Sequence, residues 1–169
     1  MDIEMTSPLP QTIDAVFAAT AEMAGDRPHF DIPSRGEAAT YAETWDRARR
    51  LAGVFAAAGL GRGDRIACLL GNQREIYEFY VAASMVGAVI VPINTQTAAN
   101  EIRRLVSDCG PRGVVASARL LTEIGEDPFG ELEVRLSTDG PVAGYTDYAE
   151  AISDQAPLKE RAPTLRTLA

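Results

Sequence analysis

The side chains able to do chemistry are few and scattered. His29 is the single histidine, so no imidazole pair exists to hold a metal or relay a proton, and the position reads as a surface or structural residue. Cys68 and Cys109 are the two cysteines. Their spacing matches neither a metal motif nor a disulfide framework, and they read as small core residues of a reducing compartment. None of Ser7, Ser34, Ser84, Ser107, Ser117, Ser137 and Ser153 lies in a Gly-x-Ser-x-Gly elbow, which leaves a hydrolase triad without its nucleophile. The carboxylates Asp14, Glu22, Glu43, Asp46, Glu75 and Glu78 fall mostly on expected caps and solvent faces of helices, where no catalytic role is needed to explain them.

Two loops carry more information. Gly59-Leu60-Gly61-Arg62-Gly63 looks like a phosphate cradle, but such cradles follow a strand and open a helix, and this one does the reverse. It reads as a helix stop and turn. Pro92-Ile93-Asn94-Thr95-Gln96-Thr97 leaves the end of an apolar strand, where open α/β sheets bind ligands. A plain turn with a helix cap is the simpler reading of the same residues.

These positions depend on the elements that carry them. Ile13, Val16, Phe17 and Met23 recur at helical spacing before Gly25, predicting a first amphipathic helix. A short strand or hairpin follows around His29 to Ile32, with Ser34-Arg35-Gly36 as its turn. Thr40-Tyr41-Ala42-Glu43 has capping-box spacing, and Trp45, Ala48, Ala52, Phe55 and Ala58 form the apolar face of the helix it starts, with Arg47 off that face. Arg65 to Leu70 predicts a strand covered on both faces. Asn72 is expected to cap the next helix, with Glu75 at its third position and Ile76, Phe79, Tyr80, Ala83 and Val86 buried. A buried strand at Val89 to Val91 precedes a helix from Thr97 to Cys109 with Ile102, Leu105, Val106 and Cys109 inward. A strand at Gly113 to Ala116, a helix at Ser117 to Ile124, a strand at Leu132 to Leu136 and a helix at Thr146 to Ser153 complete the pattern. Parallel strands need crossovers of this length, so the fold expected is α/β, an open, doubly wound, mostly parallel sheet with helices on both faces.

The 169 residues are enough for one ordinary domain. Residues 1–139 are expected to form the α/β unit, and 140–169 a helix and a proline-containing linker. A net charge of -8 repels phosphate backbones and anionic headgroups, which argues against nucleic-acid and membrane-surface partners. Asp2 and Glu4 stand where a secretory leader would be basic. The longest apolar stretch, Val81 to Ile93, is broken by Gly87 and Pro92 and falls short of the roughly 20 residues that span a bilayer. A cytoplasmic location and no membrane span are therefore expected.

Three ordered segments give the chain a family resemblance: Thr40-Tyr41-Ala42-Glu43, then Gly63-Asp64-Arg65-Ile66-Ala67 through Asn72, then Val86-Gly87-Ala88-Val89-Ile90-Val91-Pro92-Ile93-Asn94. Together they resemble the N-terminal region of the adenylate-forming, AMP-binding superfamily, particularly its acyl-CoA and aryl-CoA synthetases. The resemblance implies the first α/β subdomain of a longer enzyme that joins a carboxylic acid to AMP with ATP and magnesium, then passes the acyl group to coenzyme A. It places the phosphate loop, the ribose-binding aspartate and the catalytic lysine beyond Ala169, so this chain alone is expected to bind none of these cofactors and to be inactive. Relatives often carry arginine where this chain has Gln96. A coenzyme A edge at Asn94, Thr95 and Gln96 would therefore rest on uncharged hydrogen bonds. The alternative is a freestanding α/β small-ligand or interaction domain. In either case an exposed apolar surface would favour self-association.

Overall fold

Helix starts show how local sequence and tertiary contacts share the work. In a computed structural model that describes residues 12–159, the hydroxyl of Thr40 accepts the Glu43 amide at 3.2 Å. The Glu43 carboxylate in turn accepts the Thr40 amide at 2.8 Å. This capping box opens α2 (Tyr41–Ala57), as its spacing predicts. Before it lie α1 (Ile13–Ala24) and an antiparallel hairpin of β1 (Pro28–Ile32) and β2 (Glu37–Thr40). After it come β3 (Arg65–Leu69), α3 (Arg74–Val86), β4 (Val89–Pro92), α4 (Ala99–Cys109), β5 (Gly113–Ser117), α5 (Ala118–Ile124), β6 (Val134–Thr138), β7 (Thr146–Asp147) and α6 (Tyr148–Ser153).

The main sheet is parallel throughout, in the order β4-β3-β5-β6-β7. Side chains alternate across it with the strand period of two. Ile66 and Cys68 of β3 and Val115 of β5 join Phe55 of α2, Phe79 of α3 and Ile152 of α6 on one face. Ala67 and Leu69, with Val114 and Ala116, join Ile102 of α4 and Leu121 of α5 on the other. Two hydrophobic layers thus sandwich the central strands, and Phe55 and Phe79, both fully buried, contribute about 1.5–3 kcal/mol each by leaving water. Cys68 lies in this core, and burial pushes its thiol up to about 12, the state of an inert cysteine. Cys109 is only half-buried.

Several sequence expectations are corrected. Asn72 does not cap α3. The cap residue is Gln73, whose side chain makes no capping bond, and Glu75 stands at the second helical position. The Arg74 amide instead donates to Glu37 Oε2 at 3.0 Å, so a carboxylate from the hairpin satisfies the helix end. The strand at Val89 is not covered on both faces. It is the edge of the sheet and pairs only with β3, which leaves Val89 48% exposed. Leu105, expected inward, is 42% exposed, and Met23 of α1 is 83% exposed. Helix α1 is pinned by a polar contact, with Ser84 Oγ donating to the buried Asp14 Oδ1 at 2.6 Å.

Residues 140–153, read as the start of a helix and linker, supply β7 and α6. The helix begins at Tyr148 because Thr146 and Asp147 pair with Leu136 and Ser137 of β6, after which Asp147 accepts the Glu150 amide. The following segment crosses α2, where the Leu158 amide donates to Arg49 O and Arg49 Nε donates back to Leu158 O. Gly53 permits the crossing, since a Cβ there would meet Ala156 O at 2.8 Å. The linker expectation for 160–169 lies outside the described residues.

Glu78 is the largest correction, because it is 0% exposed rather than on a solvent face. Arg47 Nε pairs with its Oε1 at 2.5 Å, and the Tyr148 hydroxyl donates to its Oε2 at 2.7 Å. Burial pushes the Glu78 carboxyl up, while Arg47 and Tyr148 pull it down by favouring the carboxylate. Burial and the neighbouring carboxylate raise Tyr148 well above the usual phenol range, so it remains a donor. The cluster ties α2, α3 and α6 together. Tyr148→Phe, which strands one carboxylate oxygen, is expected to lower stability by about 2 kcal/mol in urea denaturation. Arg47→Met, which strands the charge, should cost more, about 3 kcal/mol.

Candidate functional site

The strand order locates the place where a ligand could enter. From β3 the chain moves outward to β4, then returns across β3 to add β5, β6 and β7 in turn. This is the doubly wound order in which the switch point falls between the first strand and the third. Here those strands are β3 and β5. Outside their carboxyl ends is a small crevice of about 70 Å³, bordered by Leu69 of β3, Thr95 and Thr97 of the loop after β4, Ile102 of α4, and Leu120 and Glu123 of α5.

The structure divides the three loop residues singled out in the sequence. Thr95 borders the crevice, whereas Asn94 and Gln96 are exposed. Asn94 builds the loop: its Oδ1 accepts the Gln96 amide at 2.9 Å and its carbonyl accepts the Thr97 amide at 3.0 Å. This is the turn chemistry expected of asparagine. Among the described residues neither lysine nor arginine borders the crevice.

A second polar cluster, invisible to sequence reasoning, closes the neighbouring strand ends. Ser117 at the end of β5 donates to Asp139 Oδ2 at 3.2 Å, and Arg35 in the hairpin turn pairs with Asp139 Oδ1 at 2.6 Å. Gln73 donates to Thr138 Oγ1 at 2.8 Å and to Glu75 Oε2 at 2.9 Å. Asp139 has φ 65° and is the only non-glycine residue with positive φ among the described residues, a conformation that Asp tolerates better than most. The Asp139-Gly140 pair was the available signal, but a turn was all it could announce. With both oxygens engaged, Asp139 is a clasp for the hairpin rather than a free base.

His29 stands apart from both clusters, within rings of Phe17, Tyr41 and Tyr77 at centroid distances of 4.9, 4.7 and 5.1 Å. This agrees with a structural role. Burial lowers its pKa from 6.5, so the neutral imidazole is favoured in the folded state. Among the described residues no group of three or more His, Cys, Asp or Glu is arranged to hold a metal ion, and no helix is long and apolar enough to cross a membrane.

Comparison with known proteins decides the family. A family model described as AMP-binding enzyme matches residues 17–168, which is most of the chain. The chain belongs to the AMP-binding enzyme family. The match agrees with the resemblance carried by the three ordered segments, and it supports the N-terminal region of that superfamily as the part represented. Among AMP-binding relatives, the long-chain-fatty-acid–CoA ligase FadD13 of Mycobacterium tuberculosis is 41% identical over 86 residues, 51% of this chain and 17% of the relative. A long-chain-fatty-acid–CoA ligase of Thermus thermophilus is 34% identical over 122 residues, 69% of this chain and 22% of the relative. The solved Mycobacterium tuberculosis fatty acyl CoA synthetase superposes with a TM-score of 0.72 at 30% identity, covering 86% of this chain and 28% of that one. The chain therefore spans about a fifth of the length of the curated relatives it matches.

Two measurements probe these local assignments. Asn94→Ala is expected to speed amide hydrogen exchange at Gln96 and Thr97 by roughly threefold to tenfold, the worth of one exposed hydrogen bond, with little change in global stability. For His29, a base whose folded pKa is lowered contributes stability above its unfolded value that is lost as pH falls through the folded one. The thermal midpoint should accordingly fall as pH drops below 6.5, and His29→Phe should lack that component of the fall.

Proposed function

We propose that this chain is the N-terminal subdomain of an AMP-forming acid–thiol ligase, an acyl-CoA synthetase that activates a carboxylic acid and transfers it to coenzyme A. The observation that carries the proposal is the AMP-binding match across residues 17–168. The parallel sheet and its superposition on a fatty acyl CoA synthetase support it. Long-chain fatty acids are the first substrates to test, because two of the relatives are named for them.

The described residues do not themselves fit ATP and magnesium. The switch-point crevice is about 70 Å³, and among the described residues the one charged side chain that borders it is Glu123, whose sign is wrong for phosphate. We therefore assign ATP, magnesium and the acid to the remainder of a longer protein, and to this subdomain the role of scaffold. A coenzyme A edge at Asn94, Thr95 and Gln96 belongs to the same proposal. Its support is the position of these residues on an exposed loop at a strand end, where amide and hydroxyl groups offer uncharged hydrogen bonds. A cytoplasmic location fits such a reaction.

The test is acid-dependent pyrophosphate release, with ATP, magnesium, coenzyme A and a panel of fatty and aromatic acids. The reading frame that contains this chain should release pyrophosphate and form a thioester, while the 169-residue chain alone should do neither and should show no thermal shift with ATP and magnesium. A reading frame that stops at the Ala169 codon, or a longer protein inert toward every acid, would overturn the proposal.

A further inference from the structure

Large apolar side chains stand exposed at Ile13, Val16, Met23, Tyr77, Val89 and Leu105. Of these six described residues, Ile13, Val16 and Tyr77 border two adjoining parts of a groove that share Ile13, Phe17 and His29, one part between α1 and α3 and the other between α1 and Tyr41 of α2, so the exposure is concentrated rather than scattered. The part nearest α3 has a volume of about 400 Å³ and runs along Phe17, Tyr77 and Tyr80, with His29 among its lining residues. From there it continues past Val16 toward Tyr41. Among the described residues no Asp, Glu, Lys or Arg side chain borders either part.

The hydrogen bonds around His29 determine which of its nitrogens is free. Nδ1 lies 3.2 Å from Thr44 Oγ1. The Thr44 hydroxyl has one hydrogen and gives it to the Thr40 carbonyl at 3.0 Å, and Thr44 is sealed from solvent. With that hydrogen used, the oxygen is left to accept from His29, an assignment that puts the imidazole proton on Nδ1. The lone pair on Nε2, on the side of the ring away from Thr44, has no donor among the described residues. His29, with an acceptor that no described residue uses, thus lines a groove whose described side chains are uncharged.

That combination selects a ligand class. A charged molecule would lose its hydration with no counter-ion to replace it. An aliphatic chain would leave Nε2 unpaired and make no use of the ring edges and faces. We propose that the groove is a binding site for an uncharged, planar aromatic molecule bearing a hydroxyl group, held by packing against Phe17 and Tyr77 and by an O–H donated to His29 Nε2. The site is separate from the strand-end crevice and does not rest on the ligase reading.

The uniqueness of His29 makes the test direct, since long-range proton–nitrogen spectra of the imidazole contain one Nε2 resonance. The probe is 2-naphthol, and 2-methoxynaphthalene, which keeps the rings but lacks the donor, is the control. In the wild-type chain 2-naphthol should move the Nε2 resonance saturably and bind roughly tenfold more tightly than the control. His29→Phe should weaken it by a similar factor and leave the control unchanged. An unmoved Nε2 resonance, or equal affinity for the two probes, overturns the proposal. Should the variant fail to fold, the two wild-type titrations decide alone.

Discussion

A parallel sheet has to be covered on both faces, and β3 and β5 impose that demand on the rest of the chain. Ile66 through Leu69 and Gly113 through Ser117 are all buried. Ile66, Cys68 and Val115 send their side chains into one hydrophobic layer and Ala67, Leu69, Val114 and Ala116 into the other, so helices must return on both sides of the sheet. The crossover lengths, the positions of α3 and α4, and the switch point between β3 and β5 all follow from this packing requirement. At the edge the demand lapses. Strand β4 has a neighbour on one side only, and Val89 is correspondingly open.

Polar contacts, buried at Glu78 and Asp14 and exposed at Arg35 and Asp139, reinforce this frame by joining elements that hydrophobic packing would leave free to slide. Glu78, Arg47 and Tyr148 couple three helices on one face of the sheet. Asp14 and Ser84 fasten α1 to α3, and Arg35 and Asp139 clasp the hairpin over the strand ends. Each joins residues far apart in sequence. An ion pair taken out of water returns little net stability against a well-packed apolar alternative. Such clusters act chiefly by penalising wrong arrangements, because displacing one partner strands another.

The same economy of polar groups bears on function. The switch-point crevice is small and carries no positive charge among the described residues, the strand-end carboxylate is occupied by the hairpin, and the buried Glu78 is paired. These are properties of a scaffold. An AMP-binding enzyme needs groups that meet phosphate and carboxylate charge, and the proposed division of labour assigns them to the remainder of a longer protein, with this subdomain holding shape. His29 is the exception, with Nδ1 in contact with Thr44 inside the fold and the residue lining a groove.

The alternation of strands and helices from Arg65 to Ile124, the α/β class, the capping box at Thr40 and the family resemblance could all be read from the sequence. They rest on interactions within a few residues or on periodicities of two and 3.6 that report burial directly. The loop at Asn94 was legible for the same reason, as asparagine bonds to its own following backbone. Tertiary structure alone decided that Glu78 is buried, that Glu37 rather than Asn72 serves the start of α3, that Thr146 and Asp147 form a strand, and that His29 meets Thr44. In each case the deciding partner is remote in sequence: Tyr148 for Glu78, the hairpin for α3, β6 for the new strand and Thr44 for His29. A periodic pattern can say that a face turns inward, but it cannot name the group that meets it there.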